Sequence, residues 1–224
     1  LLEKQVDGLL FMGGAVSEDH IRAFKTATVP IVLCATTDER EMYPSVDIDH
    51  KAAARDAVRE LLKQGHRRIG MISGPLEDPT AGYARFQGYK EALEEAGLKV
   101  EEELVRIGNY RYESGQEIAR YFLELDPRPT AIFAANDEMA IGAIHSIQDA
   151  GLKVPEDLSV IGLDNTRMAS MVRPQLTTVA QPMYDIGAVA MRLLTKLMNK
   201  ETVQNERVIL QHELITRQSV AHLA

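Results

Sequence analysis

The chain has 224 residues, 45% hydrophobic and 26% charged, and its 33 acidic and 25 basic side chains give a net charge of −8. That length accommodates one large domain or two lobes of about 100 residues each, and the acidic balance excludes an extended nucleic-acid surface on this segment. A single cysteine, Cys34, excludes an intrachain disulfide and fits a reducing, cytoplasmic setting, while no apolar run approaches the ~20 residues that span a bilayer.

The chain opens Leu1-Leu2-Glu3-Lys4-Gln5, without an initiator methionine or a signal peptide, as if cut from something longer. An apolar run at 6–12 reads as a strand followed by Gly13-Gly14, and Ser17 is placed to cap a helix over 17–25. Strands at 31–35, which buries Cys34, and at 46–49 lead through Asp49-His50 to a helix over 52–64 that Gly65 stops. A strand at 68–73 ends in Ser73-Gly74-Pro75; Thr80 is the expected cap of a helix over 81–95 that carries Arg85 and stops at Gly97. Next come a strand at 104–107, a helix over 112–124 and a strand at 131–135 ending in Asn136-Asp137. A helix over 138–150 stops at Gly151, and a strand at 158–163 ends in Asp164-Asn165. A strand at 177–179, a helix over 184–199 and short strands at 208–210 and 213–217 complete the chain. Strands apolar nearly throughout, separated by helices of 10–15 residues, indicate parallel sheets covered on both faces.

Open parallel sheets bind ligands beyond the carboxyl ends of their strands. The polar residues there are Asp49-His50, Ser73, Asn136-Asp137 and Asp164-Asn165, with Arg85 from the adjoining helix; Arg85, Asn136 and Asp164 together supply a forked donor, a mixed donor and acceptor, and a pure acceptor. Such a set suits the vicinal hydroxyls of a sugar, or the carboxylate or phosphate of a small metabolite; alternatively Asn136 and Asp164 only cap helices or turns. Enzyme signatures are absent: there is no G-x-S-x-G elbow, phosphate loop, G-x-G-x-x-G or H-E-x-x-H, so no catalytic residues and no enzymatic activity are expected. The six histidines show no close metal-ligand spacing, and neither a metal nor a cofactor is expected.

The helix at 184–199 is more informative. Ile186, Ala190, Leu193, Leu194 and Leu197 form an apolar stripe, beside a second stripe of Asp185, Val189, Arg192 and Lys196 that should face outward. Arg192 and Lys196 are like charges one turn apart, which costs a few tenths of a kcal/mol unless an anion lies between them. A phosphoryl group fits, since arginine can engage it bidentately while lysine adds a point charge. Met183 and Tyr184 add an adaptable apolar contact. The alternative is an ordinary solvated basic face.

Taken together, Gly65-His66-Arg67-Arg68-Ile69, Ser73-Gly74-Pro75, Arg85-Phe86-Gln87-Gly88-Tyr89, Ala135-Asn136-Asp137-Glu138-Met139, Val160-Ile161-Gly162-Leu163-Asp164 and Pro174-Gln175-Leu176-Thr177-Thr178-Val179 resemble the lactose-repressor/galactose-repressor family of transcriptional regulators, over essentially the whole chain. The resemblance implies two Rossmann-like α/β subdomains of periplasmic-binding-protein type joined by three crossovers. An amino-terminal lobe would comprise 1–50 and 181–208, and a carboxy-terminal lobe 51–180 and 209–224. The effector cleft would then use Arg85, Tyr110 as an aromatic platform, Asn136 and Asp164, with Ser73 from the strand-end set. Residues 164–203 resemble the carbon-catabolite branch of the family, whose members act as repressors and activators. That implies docking of serine-phosphorylated HPr or its paralogue on Met183, Tyr184, Asp185, Val189, Arg192 and Lys196, with glucose 6-phosphate and fructose 1,6-bisphosphate as secondary effectors. It further implies a homodimer, with operator DNA bound only through a helix-turn-helix domain outside this chain. Family members also carry an earlier strand, helix and strand in the amino-terminal lobe, and the absence of a strand central to that sheet is expected to leave an unpaired gap. The competing functional reading is an extracytoplasmic sugar-binding protein of a transporter, which would share the fold; a sugar- or nucleotide-modifying enzyme is the weaker third.

Overall fold

The computed structural model describes residues 6–38, 40–203 and 207–223. It divides into two compact units, one of Leu1–Asp49 with Pro182–Gln211 and one of His50–Gln181 with His212–Ala224.

The first unit contains β1 (Leu9–Met12), α1 (Glu18–Thr26), β2 (Ile31–Cys34), β3 (Ser45–Ile48), α6 (Met183–Met198) and β9 (Arg207–Leu210). Its sheet runs β1-β2-β3-β9, parallel throughout. β2 and β3 are buried along their whole length, as strands covered on both faces must be. The outer side of β1 has no partner strand among the described residues. The four strands pair without interruption and β1 lies at an edge, so no position between the described strands is left for a missing one. Ser17 starts α1 through a reciprocal cap: its hydroxyl accepts from the His20 amide, and the His20 ring accepts from the Ser17 amide.

The second unit contains α2 (His50–Lys63), β4 (Ile69–Ser73), α3 (Gly82–Glu95), β5 (Val105–Ile107), α4 (Tyr112–Glu124), β6 (Ala131–Ala134), α5 (Asp137–Asp149), β7 (Ser159–Asp164), β8 (Thr177–Ala180) and β10 (Glu213–Ile215), with 3-10 turns at Glu102–Leu104 and Arg167–Ser170. The sheet order is β10-β8-β7-β6-β4-β5, parallel except for the antiparallel edge strand β10. Its interior is built around Tyr89, Phe122 and Phe133, all fully buried, and the Tyr89 hydroxyl donates to the Ile69 carbonyl at 2.8 Å. Helices α2 and α3 are followed by Gly65 and Gly97 with φ of 94° and 72°, the left-handed turn that closes a helix most cheaply when there is no Cβ.

One cap differs from expectation. Thr80 does not start α3: the cap position is Ala81, whose side chain cannot accept. Asp78 does the work, its carboxylate accepting from the amides of Thr80 (3.0 Å), Ala81 (3.3 Å) and Gly82 (3.4 Å). An ionised carboxylate offers two oxygens to the three orphan donors and interacts favourably with the helix dipole; a hydroxyl offers one weaker acceptor.

Candidate functional site

Parallel strands β4, β6 and β7 end side by side, so the residues that terminate them converge. Ser73 is the last residue of β4, Asn136 follows β6 and caps α5, and Asp164 is the last residue of β7. Arg85, in the first turn of α3, is 4% exposed, and its guanidinium lies among them. One terminal nitrogen donates to the Ala135 carbonyl; the other is 3.2 Å from His50 Nδ1 and 3.7 Å from Asp164 Oδ1. Asp164 also accepts from Gln181 Nε2 at 2.7 Å. Burial pushes the Asp164 carboxyl above its ordinary range, and the Arg85 guanidinium is the largest force pulling it back. The side chain is nonetheless 26% exposed, so one face remains open to a ligand.

Tyr110 has φ of 64°, and its ring lies so close over Gly74 that a Cβ there would collide with the phenol ring and its oxygen. Its hydroxyl donates to Asp78 at 3.3 Å, and burial pushes its pKa well up. Asn136 is already committed to the fold: Oδ1 accepts from the Met139 amide and Nδ2 donates to the Tyr110 carbonyl. The capping role left open for Asn136 by its sequence position is therefore present, and the turn that presents Tyr110 depends on it. Ser73 Oγ, Arg85 Nε and Thr80 Oγ1 are among the buried polar atoms that have no hydrogen-bond partner among the described residues. Orphaned buried donors and acceptors are costly, and ones gathered at the ends of parallel strands are what a ligand or bound water would satisfy.

The structure thus gathers Ser73, Arg85, Tyr110, Asn136 and Asp164 in one neighbourhood. It adds two other strand-end residues, His50 against Arg85 and Asp137 beside Asp164, and two residues that were not assigned to it, Gln181 against Asp164 and Asp78 under Tyr110. The strand-end rule points to His50, which follows β3; nothing in the sequence points to Asp78 or Gln181, whose partners lie 32 and 17 residues away.

The second candidate surface is α6. Ile186, Ala190, Leu193 and Leu194 are buried and Leu197 is half-buried, which turns the opposite face outward. On it Tyr184 is 87% exposed and Met183 46%; Asp185, Arg192 and Lys196 are exposed and Val189 is half-buried. Neither Arg192 nor Lys196 forms an ion pair with another described residue. Among the described residues no cluster of His, Cys, Asp or Glu could hold a metal ion, and no helix is long and apolar enough to cross a membrane.

Residues 58–220 match the family described as periplasmic binding protein-like domain. Catabolite control protein A of Priestia megaterium is 53% identical over 98% of this chain and 66% of that protein, so the chain spans just under two thirds of that relative's length. Among solved structures, the transcription regulator CcpA of Lactococcus lactis superposes with a TM-score of 0.91 at 41% identity, covering 98% of this chain and 80% of that one. A transcriptional regulator CelR–cellobiose complex superposes at 0.90 with 35% identity, covering 97% and 67%.

Proposed function

Since the chain belongs to the periplasmic binding protein-like family, among the lactose-repressor/galactose-repressor transcriptional regulators, we propose that it is the non-enzymatic sensing core of a cytoplasmic, dimeric regulator of carbon catabolite repression and activation. The operator is bound by a helix-turn-helix domain outside this chain. The co-repressor is serine-phosphorylated HPr or its paralogue, docked on the outward face of α6. Glucose 6-phosphate or fructose 1,6-bisphosphate bind as secondary effectors at the strand-end site.

One observation carries this reading: Arg192 and Lys196 are displayed one helical turn apart, in solvent, without acidic partners among the described residues. A phosphoserine adds roughly −1.5 to −2 charges and three acceptor oxygens. The arginine fork supplies parallel hydrogen bonds and the lysine a point charge. Exposed Tyr184 and Met183 lie at the entry of the same helix and supply the apolar contact that an unphosphorylated partner would also use. Phosphorylation is then read as a difference in affinity, and a bound phosphoprotein biases the core toward its DNA-competent arrangement by that difference. The orphaned Ser73 Oγ and Arg85 Nε support the effector site.

The test is a calorimetric titration of the full chain with HPr phosphorylated on serine and with unmodified HPr, at low and at raised salt. The phosphorylated form should bind more tightly, and its advantage should shrink as salt screens the exposed pair. Equal affinities for the two forms at low salt would remove the reading.

A further inference from the structure

Between β7 and the 3-10 turn at Arg167–Ser170 the backbone does something unusual. Asp164 has φ of 123° and Asn165 has φ of 57°, two consecutive residues with side chains in the region that favours glycine. Conformations of this kind persist only where the surroundings over-determine them. Three anchors hold the segment. Arg217 donates to Asn165 Oδ1 at 2.7 Å and Gln181 Nε2 donates to Asp164 Oδ1 at 2.7 Å. The third is Asp137, at the first position of α5 and 0% exposed. Its Oδ2 accepts from the Thr166 amide at 2.6 Å and the Thr166 hydroxyl at 3.0 Å, and its Oδ1 accepts from the Thr178 hydroxyl of β8 at 2.5 Å. The Asn165 amide in turn points at Thr178 Oγ1, 3.4 Å away. β7 makes room for the carboxylate with Gly162, where a Cβ would come within 2.6 Å of Asp137 Oδ1.

We propose that Asp137 is a positioning residue of the strand-end site: its carboxylate locks the 164–166 segment in the left-handed backbone that presents the Asp164 side chain, and so sets ligand affinity without touching ligand. The proposal rests on the reading of Asp164 and Arg85 as an effector site. One carboxylate fastens three elements, the start of α5, the end of β7 and strand β8, and two of them carry candidate ligand residues, Asn136 and Asp164. An ionised acceptor holds each of these donors about twice as strongly as a neutral one.

Electrostatics agree. Burial raises the Asp137 pKa from 3.8 to about 6, against the pull of its hydrogen bonds to Thr178 and Thr166, and the nearby Asp164 carboxylate adds to the rise. The charged and titratable groups around it are Asp164 on β7, Arg85 and His50 beyond Asp164, and Arg217 through Asn165; its neighbour Glu138 is turned to the Tyr112 amide instead. A carboxyl this deeply buried would be easier to keep neutral, yet all three groups bonded to it, the Thr166 amide and hydroxyl and the Thr178 hydroxyl, donate to it.

The experiment measures glucose 6-phosphate affinity in the full chain for the wild type, Asp137→Ala, Asp137→Asn, Asp164→Asn and the double variant Asp137→Ala/Asp164→Asn. Asp137→Ala should weaken binding about tenfold or more and Asp137→Asn by less, since the amide keeps one acceptor for Thr166. Asp137→Ala should add little once Asp164 is changed, because a positioning residue acts through the group it positions. On acidification from neutral pH through about 6, the wild type should lose affinity relative to Asp137→Asn; the ligand phosphate titrates in the same range but is common to both. Asp137→Ala within twofold of wild type, or fully additive with Asp164→Asn, overturns the proposal. If the wild type does not bind the probe, the effector reading fails, and amide hydrogen exchange still decides the latch. Asp137→Ala should then speed exchange at Asn165 and Thr166 more than tenfold with Val160 and Ile161 unchanged, and unchanged exchange at Thr166 overturns it.

Discussion

Arg85 and Arg192 are the same side chain used in opposite ways. Arg85 is buried and shares its terminal nitrogens among a carbonyl, a histidine and Asp164, leaving Nε without a partner among the described residues. Its charge is largely absorbed by the fold, and it organises a site by holding Asp164 in place. Arg192 and its neighbour Lys196 lie in solvent with no acidic partner among the described residues, at a small cost to their own helix. A compensated buried charge is tied to stability and an uncompensated exposed one is available to a visitor. Mutations should separate the two cleanly.

The largest expected effect is at the buried end. Arg85→Met removes the partner of a carboxylate that burial has already pushed up, and should destabilise the second unit by about 3 kcal/mol in urea unfolding. Under the same conditions Arg192→Ala should change stability by less than about 0.5 kcal/mol. Equal losses at the two positions would collapse the distinction.

Asp137 sharpens the contrast through pH. Its folded pKa is raised from 3.8 to about 6, so the folded chain holds this proton more tightly than the unfolded one. The stabilisation is complete below the unfolded value and is lost as pH rises through the folded value, at most about 3 kcal/mol at 1.36 kcal/mol per pH unit. Asp137→Asn is neutral throughout, so its stability relative to wild type should climb by up to that amount between about pH 4 and about pH 7. Paired urea titrations showing a constant difference would contradict the burial of this charge.

How far these features can be read without coordinates follows from the range of the interactions. The alternation of apolar strands and amphipathic helices shows in the sequence because parallel strands buried on both faces leave continuous apolar runs, and the fold class follows. The neighbourhood of Ser73, Asn136 and Asp164 is readable for the same reason, since adjacent parallel strands end together. Asp78 was not, because the expectation for α3 stopped at Thr80, whereas the carboxylate that caps it comes from further upstream and also receives Tyr110. Asp137 reads as an ordinary first-turn acid of α5 until its partners Thr166 and Thr178, 29 and 41 residues away, are brought against it. The uninterrupted sheet of the first unit likewise depends on strand order, which local pattern does not specify.

A smaller effect tests that cap. Asp78→Ala should cost about 1 kcal/mol, the usual worth of an N-terminal cap, while Thr80→Val should be neutral or slightly stabilising because the Thr80 hydroxyl is buried without a partner among the described residues. The reverse order would restore Thr80 as the cap. The smallest effect on stability is expected at Tyr184, 87% exposed, where alanine should stay within about 0.5 kcal/mol yet weaken binding of both forms of HPr.

The exposed pair on α6 is tested most directly by titrating an Arg192→Ala/Lys196→Ala variant of the full chain with serine-phosphorylated and unphosphorylated HPr. The two affinities should converge, chiefly through weaker binding of the phosphorylated form, with thermal stability unchanged. A variant that keeps the wild-type ratio between the two forms would show that the phosphate is recognised elsewhere.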